Sequence, residues 1–181
     1  MALKATIFRA QLQVADMERN YYADHALTLA RHPSETDERM MVRVLGFALN
    51  AHPSLVFGQS IGNDDEPDLW RSDLTGAIQL WIDVGLPDEK RVRRACGRAK
   101  TVIVYAYGRG FDLWWKQSQA SFGRSANLTV ISLPSSATQS LAKLATRTME
   151  LNCTIQDGQV WLADGNESVQ VEADVRLPLP R

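Results

Sequence analysis

The chain has 181 residues, 45% of them hydrophobic, with 20 lysines and arginines against 21 aspartates and glutamates. That length and apolar content build one domain with a sizeable core and exclude a disordered or fibrous chain. A formal net charge of −1 excludes a general polyanion binder, so any contact with nucleic acid has to come from a local basic surface.

Residues 3–14 and 20–31 alternate apolar and polar positions around Ala15-Asp16-Met17-Glu18-Arg19, which predicts a long hairpin. The start of the chain lacks the apolar run of a signal peptide. No stretch approaches the roughly eighteen apolar residues of a membrane helix, so a soluble cytoplasmic protein is expected. Ser34 is then placed to cap a helix whose first turn carries Glu35, Asp37 and Glu38 and which runs to about Asn50. Met41, Leu45 and Ala48 form its inward stripe, and Glu38 continues that row to the edge of the buried face.

A short strand at 55–58 leads into the acidic loop Asn63-Asp64-Asp65-Glu66-Pro67-Asp68, and residues 69–73 and 77–84 pair as a hairpin around Leu74-Thr75-Gly76. Pro87 and Asp88 start a second helix. Its apolar face is Val92, Ala95 and Ala99, and Lys90, Arg91, Arg93, Arg94, Arg98 and Lys100 cover the rest. Residues 101–107 are apolar on both faces, as in a central strand, and strand, helix and strand in that order predict a parallel crossover. A short helix holds Phe111, Leu113, Trp114 and Trp115, and a strand follows at 128–131. A helix capped by Ser135-Ser136 continues through Leu141 and Leu144. Strands at about 149–156, 159–163 and 168–175 close the chain, the first two joined by the hairpin dipeptide Asp157-Gly158. Residues 176–181 read as a frayed exit. Cys96 and Cys153, far apart and without partner thiols at metal-finger spacing, read as reduced core residues. The expected fold class is a mixed α/β (α+β) domain over residues 1–181.

Asp83 ends an otherwise apolar strand, and a charge buried there costs several kcal/mol unless it is paired. A hairpin register that opposes Asp73 to Ile78 also opposes Asp68 to Asp83, which sets the two carboxylates about 5 Å apart. Like charges that close call for a shared proton or a cation, and oxygen ligands select Mg²⁺ or Mn²⁺. In that reading Asp68 and Asp83 hold the metal, Glu38 supplies an outer ligand, and Lys90 stabilises charge developing on a phosphodiester. The basic helix, through Lys90, Arg94 and Arg98, tracks phosphates. Plainer roles compete with each of these. Asp83 can close its strand on backbone amides, Asp68 can cap a turn, and Glu38 can serve its helix dipole. Asp73 is the alternative first acid, and Gln79 shares the strand face of Asp83. His25, His32 and His52 have no zinc-site spacing, and no P-loop, Gly-x-Ser-x-Gly or His-Glu-x-x-His stretch occurs.

The opening MALKATI, the segment LTLARHPSET at 27–36, DDEP at 64–67, LWI at 80–82, GLPDE at 85–89 and TIQDG at 154–158 together resemble the bacterial YaeQ family across nearly the whole chain. The resemblance implies a restriction-endonuclease-like α/β core, a variant of the PD-(D/E)XK nuclease superfamily, with a mixed sheet flanked by helices plus an N-terminal hairpin and C-terminal strands. That superfamily's pattern puts an aspartate on one hairpin strand, an acid on the next and a lysine two positions later. Pro67-Asp68 and Asp83 match it by spacing and Glu38 matches its helix acid, while Gly85 stands at the lysine position, leaving Lys90 to reach back. Two functions are therefore expected to compete: a Mg²⁺-dependent nuclease, or a catalytically inactive module of the same fold that binds nucleic acid or a protein partner.

Overall fold

The computed structural model describes residues 4–59 and 65–178. In chain order the elements are β1 (Thr6–Asp16), β2 (Tyr21–Arg31), α1 (Asp37–Leu49), β3 (Leu55–Phe57), β4 (Leu69–Ser72), β5 (Ile78–Val84), α2 (Glu89–Arg98), β6 (Ala99–Ala106), α3 (Phe111–Phe122), β7 (Leu128–Ser132), α4 (Ser135–Ala142), β8 (Thr148–Gln156), β9 (Gln159–Ala163), β10 (Ser168–Val171) and β11 (Asp174–Leu177). They form two mixed sheets, as a mixed α/β class requires. The chain divides into two compact units, one made of the residues up to Ala51 with Ser136–Glu172, the other of His52–Ser135 with the residues from Ala173 on.

The first unit carries a five-stranded sheet ordered β10-β9-β8-β1-β2. The long hairpin is in register from Thr6 opposite Arg31 to Asp16 opposite Tyr21. Its turn lies at residues 17–20, slightly beyond the 15–19 expected, because Asp16 still pairs and then caps the turn by accepting from the Glu18 and Arg19 backbone N–H groups at 3.1 Å each. Alternation buries Phe8, Leu12, Val14 and Leu29 on one face and exposes Arg9, Gln11, Gln13 and Thr28, together with Ile7 and Tyr22, on the other. Both residues of the Asp157-Gly158 turn have positive φ, 53° and 75°, the conformation that matches the twist of a two-residue hairpin.

Met41, Leu45 and Ala48 of α1 are fully buried, as their spacing requires. The helix start differs from expectation. Thr36 caps it through the Arg39 N–H, while the Ser34 hydroxyl pairs with the His32 ring, so Glu35 lies before the helix instead of in its first turn. Glu35 is buried and gripped by Arg43, whose Nε and Nη2 donate to its two oxygens at 2.8 and 2.7 Å.

The second unit carries a six-stranded sheet ordered β11-β7-β6-β5-β4-β3. β3, β4 and β5 form an antiparallel meander, and β5, β6 and β7 run parallel, joined through α2 and α3. Trp81, Val92, Ala95, Val102, Val104 and Phe122 lead its core, with Trp114 and Trp115 packed against it. The single strand expected at 168–175 is two strands. β10 extends the first sheet and β11 the second, and Arg176 and Leu177 belong to β11 instead of a frayed end. No helix among the described residues is long and apolar enough to cross a membrane.

Candidate functional site

The β4–β5 hairpin opposes Leu69 to Ile82 and Trp70 to Trp81, the register that brings Asp68 level with Asp83. Near the turn a bulge shifts the pairing so that Ser72, not Asp73, faces Ile78. The two residues therefore lie opposite each other across the hairpin, and the carboxylate of each faces a backbone N–H of the other strand. The Val84 N–H donates to Asp68 Oδ2 at 2.8 Å, and the Asp68 N–H approaches Asp83 Oδ1 at 3.4 Å. Gly58 holds the incoming loop. Its N–H donates to the Asp68 carbonyl at 2.8 Å, and a Cβ there would lie 1.9 Å from the Pro67 carbonyl oxygen, so only glycine allows this approach.

Arg91 completes the arrangement. Its Nε donates to Asp83 Oδ2 at 2.8 Å and its Nη2 to Asp83 Oδ1 at 3.0 Å, a bidentate pair in which the Asp83 side chain is 2% exposed and that of Arg91 is 16% exposed. The same Nη2 donates to the Glu66 carbonyl at 2.9 Å. α2 delivers it because Asp88, at the N-cap, accepts from the Arg91 N–H at 2.7 Å and fixes the helix start, which places residue 91 beside the inward Val92 and Ala95. Sequence reasoning assigned the cation to Lys90. Lys90 is exposed, and it makes no ion pair or hydrogen bond among the described residues. A buried aspartate at a strand end, facing a helix whose inward stripe starts beside an arginine, was the available signal.

The other basic residues of α2 are partly committed. Arg94 lies 3.5 Å from the Asp65 carboxylate, and Arg98 donates to the Asp65 carbonyl at 2.9 Å with its guanidinium over the Trp81 ring, 5.3 Å from the centroid. Glu38 belongs to the other unit, where its Oε2 accepts from the Thr138 hydroxyl at 3.0 Å. Asp73 is a turn cap. It accepts from the Thr75 hydroxyl and from the Thr75 and Ala77 N–H groups, and Gln79 donates to its second oxygen at 3.0 Å. The Thr75 hydroxyl, followed by those backbone donors, holds the Asp73 carboxyl below its ordinary pKa. Cys96 and Cys153 are free thiols; burial raises the pKa of Cys96 and, with the Asp16 charge beside it, pushes that of Cys153 up to about 12.

A shared Mg²⁺ or Mn²⁺ does not fit these side chains as they stand. Such an ion takes an octahedron of oxygens at about 2.0–2.1 Å, whereas both Asp83 oxygens already face a guanidinium that would repel it. Among the described residues no three His, Cys, Asp or Glu side chains cluster closely enough to hold a metal. Gly85, two residues beyond Asp83, has φ of +98°, a conformation that side-chain-bearing residues adopt only under strain.

The family model described as YaeQ protein matches residues 1–173. The chain is 47% identical over 174 residues to the YaeQ protein of Salmonella typhi, covering 95% of this chain and 96% of that one. It is 46% identical over 173 residues to the YaeQ protein of Escherichia coli K12, covering 94% and 95%. Among solved structures, the YaeQ protein from Xanthomonas axonopodis pv. citri superposes with a TM-score of 0.91 at 53% identity, covering 95% of this chain and 98% of that one. The YaeQ protein from Pseudomonas syringae gives 0.92 at 30% identity, with 97% of each chain covered.

Proposed function

The chain belongs to the YaeQ family, and from that premise we propose that it is a non-catalytic nucleic-acid-binding module on a restriction-endonuclease-like core, a variant of the PD-(D/E)XK superfamily whose acidic site is closed. The core assignment is supported by the succession α1-β3-β4-β5-α2-β6 and by the register that brings Asp68 level with Asp83. One observation carries the loss of chemistry: Arg91 occupies both oxygens of Asp83. A general base or metal ligand needs a lone pair aimed at water or at the ion, and here both oxygens are turned to a guanidinium. Gly85 supplies no ammonium group, and Lys90 makes no contact with the carboxylates.

Binding falls to the outer side of α2. Lys90 and Arg93 are exposed there, and Arg94 and Arg98 become available to a phosphate backbone that competes with Asp65. The decisive experiment titrates Mg²⁺ and Mn²⁺ into the full chain with a mixed panel of single- and double-stranded DNA and RNA, and compares wild type with Asp83→Asn and Lys90→Glu. The expected result is salt-dependent binding without cleavage, unchanged by Asp83→Asn and weakened across all sequences by Lys90→Glu. Metal-dependent cleavage by the wild type overturns the non-catalytic reading, and its loss in Asp83→Asn would assign it to this site. Absence of any nucleic-acid binding overturns the partner.

A further inference from the structure

We propose that the cleft between α2 and the C-terminal end of α3 is a phosphoryl-binding site, in which the guanidiniums of Arg93 and Arg124 and the hydroxyls of Ser121 and Ser125 receive a phosphate group. The cleft has a volume of about 380 Å³, at the small end of the roughly 300–1,000 Å³ typical of ligand pockets. Val92 and Phe122, both buried core residues, form part of its wall. Unlike Arg91, Arg94 and Arg98, neither Arg93 nor Arg124 makes an ion pair or side-chain hydrogen bond among the described residues.

Arg124 is not used to cap α3. The last carbonyls of that helix are already satisfied by backbone: Gly123 N–H donates to Gln119 at 2.9 Å, Arg124 N–H to Ser121 at 3.2 Å and Ser125 N–H to Phe122 at 3.0 Å. Two uncommitted arginines line one concave surface, and an anion bound between like charges lowers their mutual repulsion. The planar donor fork of arginine matches phosphate oxygens in pairs, and the Ser121 hydroxyl can donate to an oxygen that remains, while the Ser125 hydroxyl is shared with the Cys96 thiol. Glu89 is the one carboxylate lining the cleft, so two positive charges and one negative leave it with a net charge of +1. That carboxylate opposes the anion and supplies a test that a packing role could not mimic. The phosphate rests on the cleft alone, and only its carrier, a nucleic-acid strand, rests on the reading above.

The full chain is titrated with inorganic phosphate, with a 5′-phosphorylated single-stranded oligonucleotide, and with the same oligonucleotide lacking the phosphate, for wild type and for Arg93→Gln, Arg124→Gln and Glu89→Gln. Each arginine variant is expected to weaken inorganic phosphate and the phosphorylated strand about tenfold, the loss of one charge-assisted hydrogen-bonding group. Glu89→Gln is expected to tighten both about threefold, a gain that misfolding cannot produce. Phosphate binding that responds to these substitutions while neither oligonucleotide binds supports the cleft and overturns the nucleic-acid carrier. Failure of the wild type to bind inorganic phosphate, or binding indifferent to all three substitutions, overturns the site.

Discussion

Glu35 in the first unit and Asp83 in the second are held by the same device. Each lies before a helix, and the arginine eight residues on grips both of its oxygens through Nε and Nη2, Arg43 at 2.8 and 2.7 Å and Arg91 at 2.8 and 3.0 Å. In each case Nη2 also donates to a backbone carbonyl, that of Ala30 at 3.2 Å or that of Glu66 at 2.9 Å. The two differ in depth. Arg43 is 3% exposed at its side chain and Arg91 16%, and Glu35 receives a further bond from Arg39 at 3.1 Å. No catalytic pattern attaches to Glu35, yet its geometry repeats that of the acid a nuclease pattern singles out. The pairing at Asp83 is thereby explained as an anchor of α2 to its sheet, without appeal to chemistry.

The difference in depth sets the largest expected effect. Glu35→Ala leaves Arg43 in the interior without its carboxylate and is expected to cost about 3–5 kcal/mol in urea unfolding, the range for breaking a buried pair. Asp83→Ala is expected to cost less, about 2–3 kcal/mol, because the released Arg91 can turn toward water. Equal costs would mean that Asp83 is as enclosed as Glu35 and that the exposure of Arg91 gives no relief.

Gly58→Ala probes the loop held against the second anchor. The 1.9 Å approach of an added Cβ to the Pro67 carbonyl forces the chain before Asp68 to shift. A loss of about 2 kcal/mol is expected, typical of a backbone clash at a glycine site, together with faster hydrogen exchange at the Val84 amide that donates to Asp68. Protection of that amide equal to wild type would show that Asp68 keeps its place without the loop.

Gly85→Lys places a lysine two residues beyond Asp83, as the proposed superfamily's pattern would have it. No atom lies within 4 Å of an added Cβ, so the cost is backbone strain at φ +98° alone, about 1–2 kcal/mol. On the proposed non-catalytic reading the variant is expected to fold and to show no cleavage, because Arg91 still pairs with Asp83. Metal-dependent cleavage gained by Gly85→Lys would mean that the missing ammonium group, and not the arginine, closed the site.

Much of the frame was legible because it is local. Alternation in 6–16 and 21–31, the Asp157-Gly158 turn, the Asp88 cap and the spacing that opposes Asp68 to Asp83 all act over short stretches of chain. What was not legible is non-local. The pattern over 168–175 is continuous, and nothing in it marks that its first half joins one sheet and its second half the other. Glu35 looked like a first-turn acid because its partner is Arg43, two turns into α1, and Arg91 was one basic residue among five on α2 until the partner strand and the loop at Glu66 were in place. At the candidate site the register was therefore readable and the counter-ion was not.

Asp73 offers the smallest effect and a control on the anchors, since it is a carboxylate of the same hairpin held by no arginine. Its folded pKa lies below the ordinary value of 3.8 because the Thr75 hydroxyl and the Thr75 and Ala77 N–H groups favour the charged form. A depressed carboxylate pKa stabilises the fold above the unfolded value, and that contribution disappears as pH falls through the folded one. Asp73→Asn is therefore expected to flatten slightly the acid limb of stability below about pH 4, leaving neutral-pH nucleic-acid binding unchanged. A carboxyl titration by NMR checks it directly: an Asp73 midpoint at or above 3.8 would mean that the turn does not hold the charge, whereas a lower midpoint assigns that hold to capping by Thr75 and Ala77.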